Sequence, residues 1–281
     1  MSTAPAEVTI IVIAHSLRHE LERCFDSVRR LAEVPVEVIL VDNASTDDTR
    51  GWVRAEHPDV TLIELPRNIR ATARDHGLRR SNTRYTMFLD SDTELTPGAL
   101  PAMVSAMDEH PDWGLLSPRL VYDDGSIQHS CRRFPPLSLP LLRRPPLARF
   151  FDDSRPVRRH LMADFGYDRT RPVFYSISAC HFFRTSLARK AAPFDPSGWG
   201  IGWADAEWCV RIRDAGGEIV FFPGATVIHS YRRATARQPV SGAALRQLRS
   251  FVEFQWRYRH GRRVSRELDR QWELETTRSG A

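Results

Sequence analysis

Val8–Ala14 (VTIIVIA) is an uninterrupted apolar, β-branched run, the pattern of a strand buried on both faces. Behind it Leu17, Leu21, Cys24, Phe25, Val28 and Leu31 recur at helical spacing. Residues 36–41 are predicted as the next strand, stopped by Asp42-Asn43-Ala44-Ser45. Ser45 or Thr46 is placed to cap a helix whose first turn holds Asp47 and Asp48, where carboxylates favour the helix dipole. A third strand is predicted over 60–65, a short helix over 71–80 and a fourth strand over 85–89, and Pro97 opens a helix to about Asp108. Strands alternating with helices at this spacing predict βαβ units and a mainly parallel sheet.

Beyond Leu120 the rhythm changes. Tyr122-Asp123-Asp124-Gly125-Ser126 reads as a turn, and residues 132–172 are rich in Arg and Pro with weak periodicity, an irregular surface excursion. A strand is predicted over 173–183, a helix over 205–215 ended by Gly216-Gly217, and a strand over 218–222. Leu245, Leu248, Val252 and Trp256 sit at i, i+3, i+7 and i+11, so a C-terminal amphipathic helix is expected.

Length and composition narrow the class. The 281 residues suit one large domain or two small ones, 42% of them are hydrophobic, and no apolar run reaches the roughly 18–20 residues of a membrane span. The N-terminal residues lack a basic and apolar leader, and Cys24, Cys131, Cys180 and Cys209 form no CxxC pair, so a cytoplasmic protein without a disulfide framework is expected. The net charge of +5 at first suggests nucleic acid, but its distribution does not. Residues 131–172 hold ten Arg against four acids and residues 231–281 twelve against five, while the rest carries 18 basic against 26 acidic side chains. An acidic body thus bears two basic segments.

Ligands of open α/β sheets bind at the carboxyl ends of the parallel strands. Two acidic features fall there: Asp42-Asn43 after the second strand, and Asp90-Ser91-Asp92 after the fourth. Asp90 and Asp92, one residue apart at a strand end, can face one point, and their oxygens suit Mg²⁺ or Mn²⁺ completed by substrate phosphates. A loop that bonds its own backbone explains the same spacing. Residues 11–20 contain no glycine, which removes the Rossmann and Walker phosphate loops and disfavours a nucleotidyltransferase.

The ordered set VDNASTDDT (41–49), PRN…RDHG (66–77), YTMFLDSDTELTPGAL (85–100), FD (194–195), WADAEWCVRIRDAG (203–216) and VIHS (227–230) resembles a family 2 glycosyltransferase of GT-A fold, in particular its bacterial rhamnosyltransferase-like members. The resemblance covers about residues 8–230. It implies a single Rossmann-like catalytic domain over 1–230, with a nucleotide-sugar half to about 120 and an acceptor half beyond. Residues 231–281 follow as a basic helical extension. It further implies a nucleotide-diphosphate sugar donor, a hydroxyl acceptor on a glycan, lipid-linked sugar or small molecule, a Mn²⁺ or Mg²⁺ cofactor, and inversion at the anomeric carbon.

Residue by residue, the resemblance assigns the nucleoside to Asp42 and Asn43, with Asn68 nearby, and the metal and ribose to Asp90, Ser91 and Asp92. Asp205 is the expected base, although it can equally cap its helix. His229 is a third metal or diphosphate contact by resemblance and a structural histidine by its sequence setting; imidazole suits Mn²⁺ better than Mg²⁺. Arg74 is placed to pair with the diphosphate or to lie on the surface. Glu207 either orients the acceptor or Arg211, or sits on a solvated face. Trp199 and Trp203, in a Gly-rich loop, either stack on a sugar or pack in the core. Asp195 reads as a loop buttress. Asn68-Ile69-Arg70 stands where N-x-G is common, Ala204 replaces an acid before the base, and His15-Ser16 replaces a Tyr-Asn-like pair. The basic segments fit the acceptor side, a peripheral contact with the inner membrane face, solvated arginines or a homodimer contact, and not nucleic acid.

Overall fold

β1 (Val8–Ala14) occupies the middle of a parallel set because both of its faces are apolar: Val8, Ile10 and Val12 enter one core layer and Ile11 the other. The computed structural model describes residues 5–143, 147–192, 203–230 and 242–279. After β1 come α1 (Arg18–Leu31), β2 (Val36–Asp42), α2 (Thr49–Glu56) and β3 (Thr61–Glu64). A 3-10 turn (Arg70–Ala73) then merges into α3 (Arg74–Leu78), followed by β4 (Tyr85–Asp90), β5 (Thr93–Leu95), α4 (Ala99–Glu109) and β6 (Trp113–Val121).

The excursion of 132–172 is built of short pieces: β7 (Cys131–Arg132), α5 (Leu139–Leu142), α6 (Ala148–Phe151), α7 (Arg155–His160) and β8 (Arg171–Pro172). β9 (Tyr175–Ser176), β10 (Cys180–Arg184), α8 (Thr185–Ala191), α9 (Ala204–Asp214) and β11 (Glu218–His229) complete the core. Two helices, α10 (Gly242–Arg257) and α11 (Gly261–Ser279), follow.

The main sheet runs β3-β2-β1-β4-β10-β6-β11-β5. β3, β2, β1 and β4 are parallel, as the βαβ rhythm predicts. β10 enters antiparallel between β4 and β6, while β11 lies parallel to β6. One face is covered by α1 and α4 through Leu21, Phe25, Leu100 and Met103; the other holds Trp208, Cys209 and Phe254. Gly114 and Gly217 let β6 and the start of β11 meet, since a Cβ on either would stand 2.6 Å from the other's Cα.

Several expectations change. The strand expected over 173–183 is broken into β9 and β10, and the strand expected to end at 222 continues as β11 through a register shift between Phe222 and Thr226. β5 and β6 had no sequence counterpart. α2 starts only at Thr49, with Asp47 Oδ1 accepting the Thr49 amide at 3.2 Å, so Asp47 and Asp48 precede its first turn. Leu17 is the N-cap of α1 and is exposed rather than packed. α10 forms, but Phe251 and Phe254 face inward while Leu248, Val252 and Trp256 point out. The aromatic pair wins because Trp203 and Phe134 offer it ring partners, at 5.1 Å from Phe251 for Trp203 and 5.7 Å from Phe254 for Phe134.

Candidate active site

A cleft of about 490 Å³ opens at the carboxyl ends of β1 and β4, in the size range of a small-ligand site. Asn43, Asn68, Arg74, Asp90, Asp92 and Asp205 line it, with Ser91 between the two aspartates. β5 carries out the decisive positioning. It pairs antiparallel with the end of β11, setting Thr93 opposite His229, and the Ser230 amide donates to the Asp92 carbonyl at 3.0 Å. His229 Nε2 thereby lies 3.5 Å from Asp92 Oδ1, and Asp90, Asp92 and His229 each present a ligand atom within 4.8 Å of the others. His229 Nδ1 donates to Gln128 Oε1 at 2.7 Å, so Nε2 is the nitrogen turned to the carboxylates. Two carboxylates and an imidazole are a donor set that could hold a divalent cation such as Mn²⁺ or Mg²⁺.

Arg74 joins this cluster to Asp205. The guanidinium is buried, donating from Nη2 to Asp90 Oδ1 at 2.9 Å and from Nη1 to Ser178 Oγ at 2.7 Å. Ser178 Oγ in turn donates to Asp205 Oδ1 at 2.5 Å, and Arg74 Nη1 lies 3.9 Å from that same oxygen. Burial pushes the Asp90 carboxyl above its usual range; Arg74 opposes the shift, and Asp92 and Asp205 reinforce it. A group of carboxylates with one guanidinium between them favours a bound cation electrostatically. Asp205 stands in the first turn of α9, whose N-cap is Trp203, so the capping alternative for Asp205 does not hold.

The end expected to hold a nucleoside is arranged differently from the simplest expectation. Asp42 is fully buried, and its carboxylate is engaged by the Arg50 guanidinium and the Ser45 amide. It shapes the strand end instead of opening to the cleft. Asn43 accepts the Ile69 amide at 2.8 Å and donates to Asn68 Oδ1 at 3.1 Å and to the Arg70 carbonyl at 3.3 Å. These bonds hold Arg70 at φ +59°, the left-handed conformation that explains why a glycine is common at this point of the motif.

The residues expected on the acceptor side separate. Glu207 is buried, not solvated, accepting from Arg211 Nε at 3.0 Å and from the Tyr258 hydroxyl at 3.1 Å. Trp203 packs on Phe251 and Phe254, at ring distances of 5.1 and 5.6 Å. Trp199 and Asp195 lie outside the described residues. His181 Nε2 lies 2.9 Å from Ser176 Oγ, and Cys180 enters the core. Sequence reasoning missed Gln128 and the bridging role of Ser178. Nothing in the sequence marks a glutamine after a turn as a histidine's partner, or a serine between two strands as the link from Arg74 to Asp205.

A family model described as Glycosyl transferase family 2 matches residues 9–190. The chain belongs to that family. Consistent with this, it is similar to N-acetylglucosaminyl-diphospho-decaprenol L-rhamnosyltransferase of Mycobacterium tuberculosis, 24% identical over 263 residues that cover 86% of this chain and 82% of the relative. Among solved structures, GalNAc-T7 with UDP, GalNAc and Mn²⁺ superposes with a TM-score of 0.62 at 15% identity, covering 90% of this chain and 48% of that one. A mannosyltransferase from Pyrobaculum calidifontis in complex with GDP-Man and Mn²⁺ gives 0.55 at 17% identity, covering 95% and 74%. The fold is therefore GT-A, and the family 2 chain is a glycosyltransferase.

Proposed function

We propose that this family 2 enzyme is an inverting, divalent-cation-dependent glycosyltransferase whose acceptor hydroxyl belongs to a lipid-linked cell-surface glycan. The observation that carries the reading is the chain of contacts from Asp90 through Arg74 and Ser178 to Asp205 along one cleft. It sets a carboxylate for the acceptor beside a carboxylate–imidazole group for the donor. The acceptor class is supported by the decaprenol-linked substrate in the name of the mycobacterial relative.

Asp90, Asp92 and His229 would hold the cation; when bound, it supplies positive charge against the donor diphosphate and its departure. Asn43 and Asn68 shape the loop over the nucleoside. Ser178 and Arg74 hold Oδ1 of Asp205, so that its second oxygen takes the proton of the attacking hydroxyl. A base acting opposite the leaving diphosphate gives displacement in line, with inversion.

Asp205→Asn tests the assignment. Donor at 100 times its dissociation constant, with Mn²⁺, should still stabilise the variant by about 2.7 kcal/mol. Transfer should fall by about 10²–10⁴-fold. Transfer at the unsubstituted rate would reject Asp205 as base.

A further inference from the structure

α10 has two unlike faces. Inward, Phe251 and Phe254 pack on Trp203, and Tyr258, just past the helix, donates to Glu207 on α9. Outward, Leu248, Val252 and Trp256 follow at i, i+4 and i+8 and form one stripe, with Trp256 71% exposed. The Arg259 guanidinium lies 5.8 Å over the Trp256 ring. The stripe has a neighbour. Gln255, adjacent to Trp256, donates to the Pro135 carbonyl at 2.7 Å, and two residues further on Leu137 begins a second exposed apolar segment. There Leu141 and Phe150 are about as exposed as Leu137, and the Arg149 guanidinium sits 4.6 Å over the Phe150 ring.

Single exposed apolar residues are ordinary, but these are concentrated. Among the described residues, seven of the eleven exposed large hydrophobics fall in these two segments: Leu137, Leu141, Phe150, Phe151, Leu248, Val252 and Trp256. Both segments are basic, with six Arg against two Asp over 137–159 and five Arg against one Glu over 248–263.

We propose that this paired face docks the protein on an anionic lipid bilayer. Leu, Val, Phe and Trp tips enter the headgroup boundary while arginines on the same segments meet lipid phosphates. Charge argues against a second copy of this chain, which would bring the same positive surface to the contact. A nucleic acid would satisfy the arginines but leave the aliphatic stripe exposed. The inference deepens the lipid-linked acceptor reading and rests on it for its purpose: α10 lies between the outer stripe and α9, so the bilayer would sit about one helix diameter, roughly 10 Å, from the helix that carries Asp205.

Vesicles of phosphatidylcholine, with and without about 30% phosphatidylglycerol, test the face by co-sedimentation of the full chain without donor or acceptor. The unsubstituted protein should bind the anionic vesicles, release in high salt and ignore phosphatidylcholine alone. Trp256→Glu and Val252→Glu should each weaken binding by about tenfold or more, and Trp256→Phe should retain it. Both positions are exposed, so the variants should melt like the parent and keep stabilisation by Mn²⁺ with nucleotide sugar. Absence of vesicle binding, or binding that Trp256→Glu leaves intact, overturns the proposal. A concentration-dependent dimer that Trp256→Glu dissociates, without vesicle binding, also overturns it and gives the face to a second copy. Vesicle binding with no donor stabilisation would instead reject the catalytic reading and leave the docking face standing.

Discussion

His229 and Gln128 are locked together at 2.7 Å, imidazole Nδ1 against amide Oε1, although 101 positions separate them in the chain. A glutamine oxygen can only accept, so Nδ1 carries the proton and Nε2 is the nitrogen turned to Asp92. Gln128 is thus a positioning residue for the proposed metal ligand. Gln128→Leu should weaken Mn²⁺ binding by about 10–100-fold, measured by titration calorimetry or by the spectrum of free Mn²⁺. Gln128→Glu, which preserves an acceptor, should recover most of that loss. Equal affinity in Gln128→Leu and the parent would mean that the imidazole is held by packing alone.

The Ser178 hydroxyl stands between Arg74 and Asp205 and bonds both. Ser178→Ala removes the group that orients the carboxylate without removing the carboxylate itself. The expected outcome is a fall in kcat of about 10–100-fold with donor affinity preserved. Ser178→Thr keeps the hydroxyl and should restore part of the rate. A pure rise in KM for the donor in Ser178→Ala would place Ser178 in donor binding instead.

The parallel half of the sheet was legible because β1, β2 and β4 are short runs dominated by apolar residues and separated by helical patterns. β6 was not: WGLLSPRLV breaks its apolar pattern with Ser117-Pro118-Arg119, and only its neighbours β10 and β11 make it a strand. β5 is three residues long and has no periodicity to detect. The spacing of Asp90 and Asp92 revealed a pair of carboxylates, but their meeting with His229 depends on β5 joining β11. Asp42 illustrates the opposite limit. A strand-end aspartate reads as a ligand, and nothing local reports that Arg50, eight residues on, occupies its carboxylate. α10 was found by its periodicity, yet the stripe chosen from Leu248, Val252 and Trp256 was the outer one. Which apolar face turns inward was decided by the ring partners waiting for Phe251 and Phe254.

Two buried histidines give the fold an acid sensitivity. Burial pushes His160 down to about 3 and His181 down to about 4, so both are neutral in the native state at pH 5. The unfolded chain takes up a proton on each near its ordinary value of about 6.5, binding more protons than the native state. Stability therefore falls as pH drops below about 6.5, and the loss continues until the native pKa is reached. Each histidine should cost on the order of 2 kcal/mol between pH 7 and pH 5. Urea denaturation of His160→Gln at both pH values should show a pH effect smaller by about that amount. An unchanged pH dependence in the variant would show that His160 is not a source of it.

Arg70 combines strain and charge at the cleft wall. It holds φ +59° because Asn43 grips its carbonyl and Asn68 Oδ1 accepts its amide at 2.9 Å, and it stands among the residues lining the cleft. A non-glycine residue there costs about 1 kcal/mol. With the diphosphate of a nucleotide sugar as the proposed ligand, the guanidinium has a matching anion. Arg70→Gly relieves the strain but gives the unfolded chain more freedom, so stability should change by less than about 1 kcal/mol. Donor affinity should nevertheless fall by about tenfold. Arg70→Ala keeps the strained backbone and also loses the charge, so its donor affinity should match that of Arg70→Gly. Calorimetric titration with a nucleoside diphosphate separates the contributions: equal losses in both variants assign the effect to the guanidinium. A loss in Arg70→Gly alone assigns it to backbone freedom in the loop, and affinity unchanged in both removes Arg70 from the donor site.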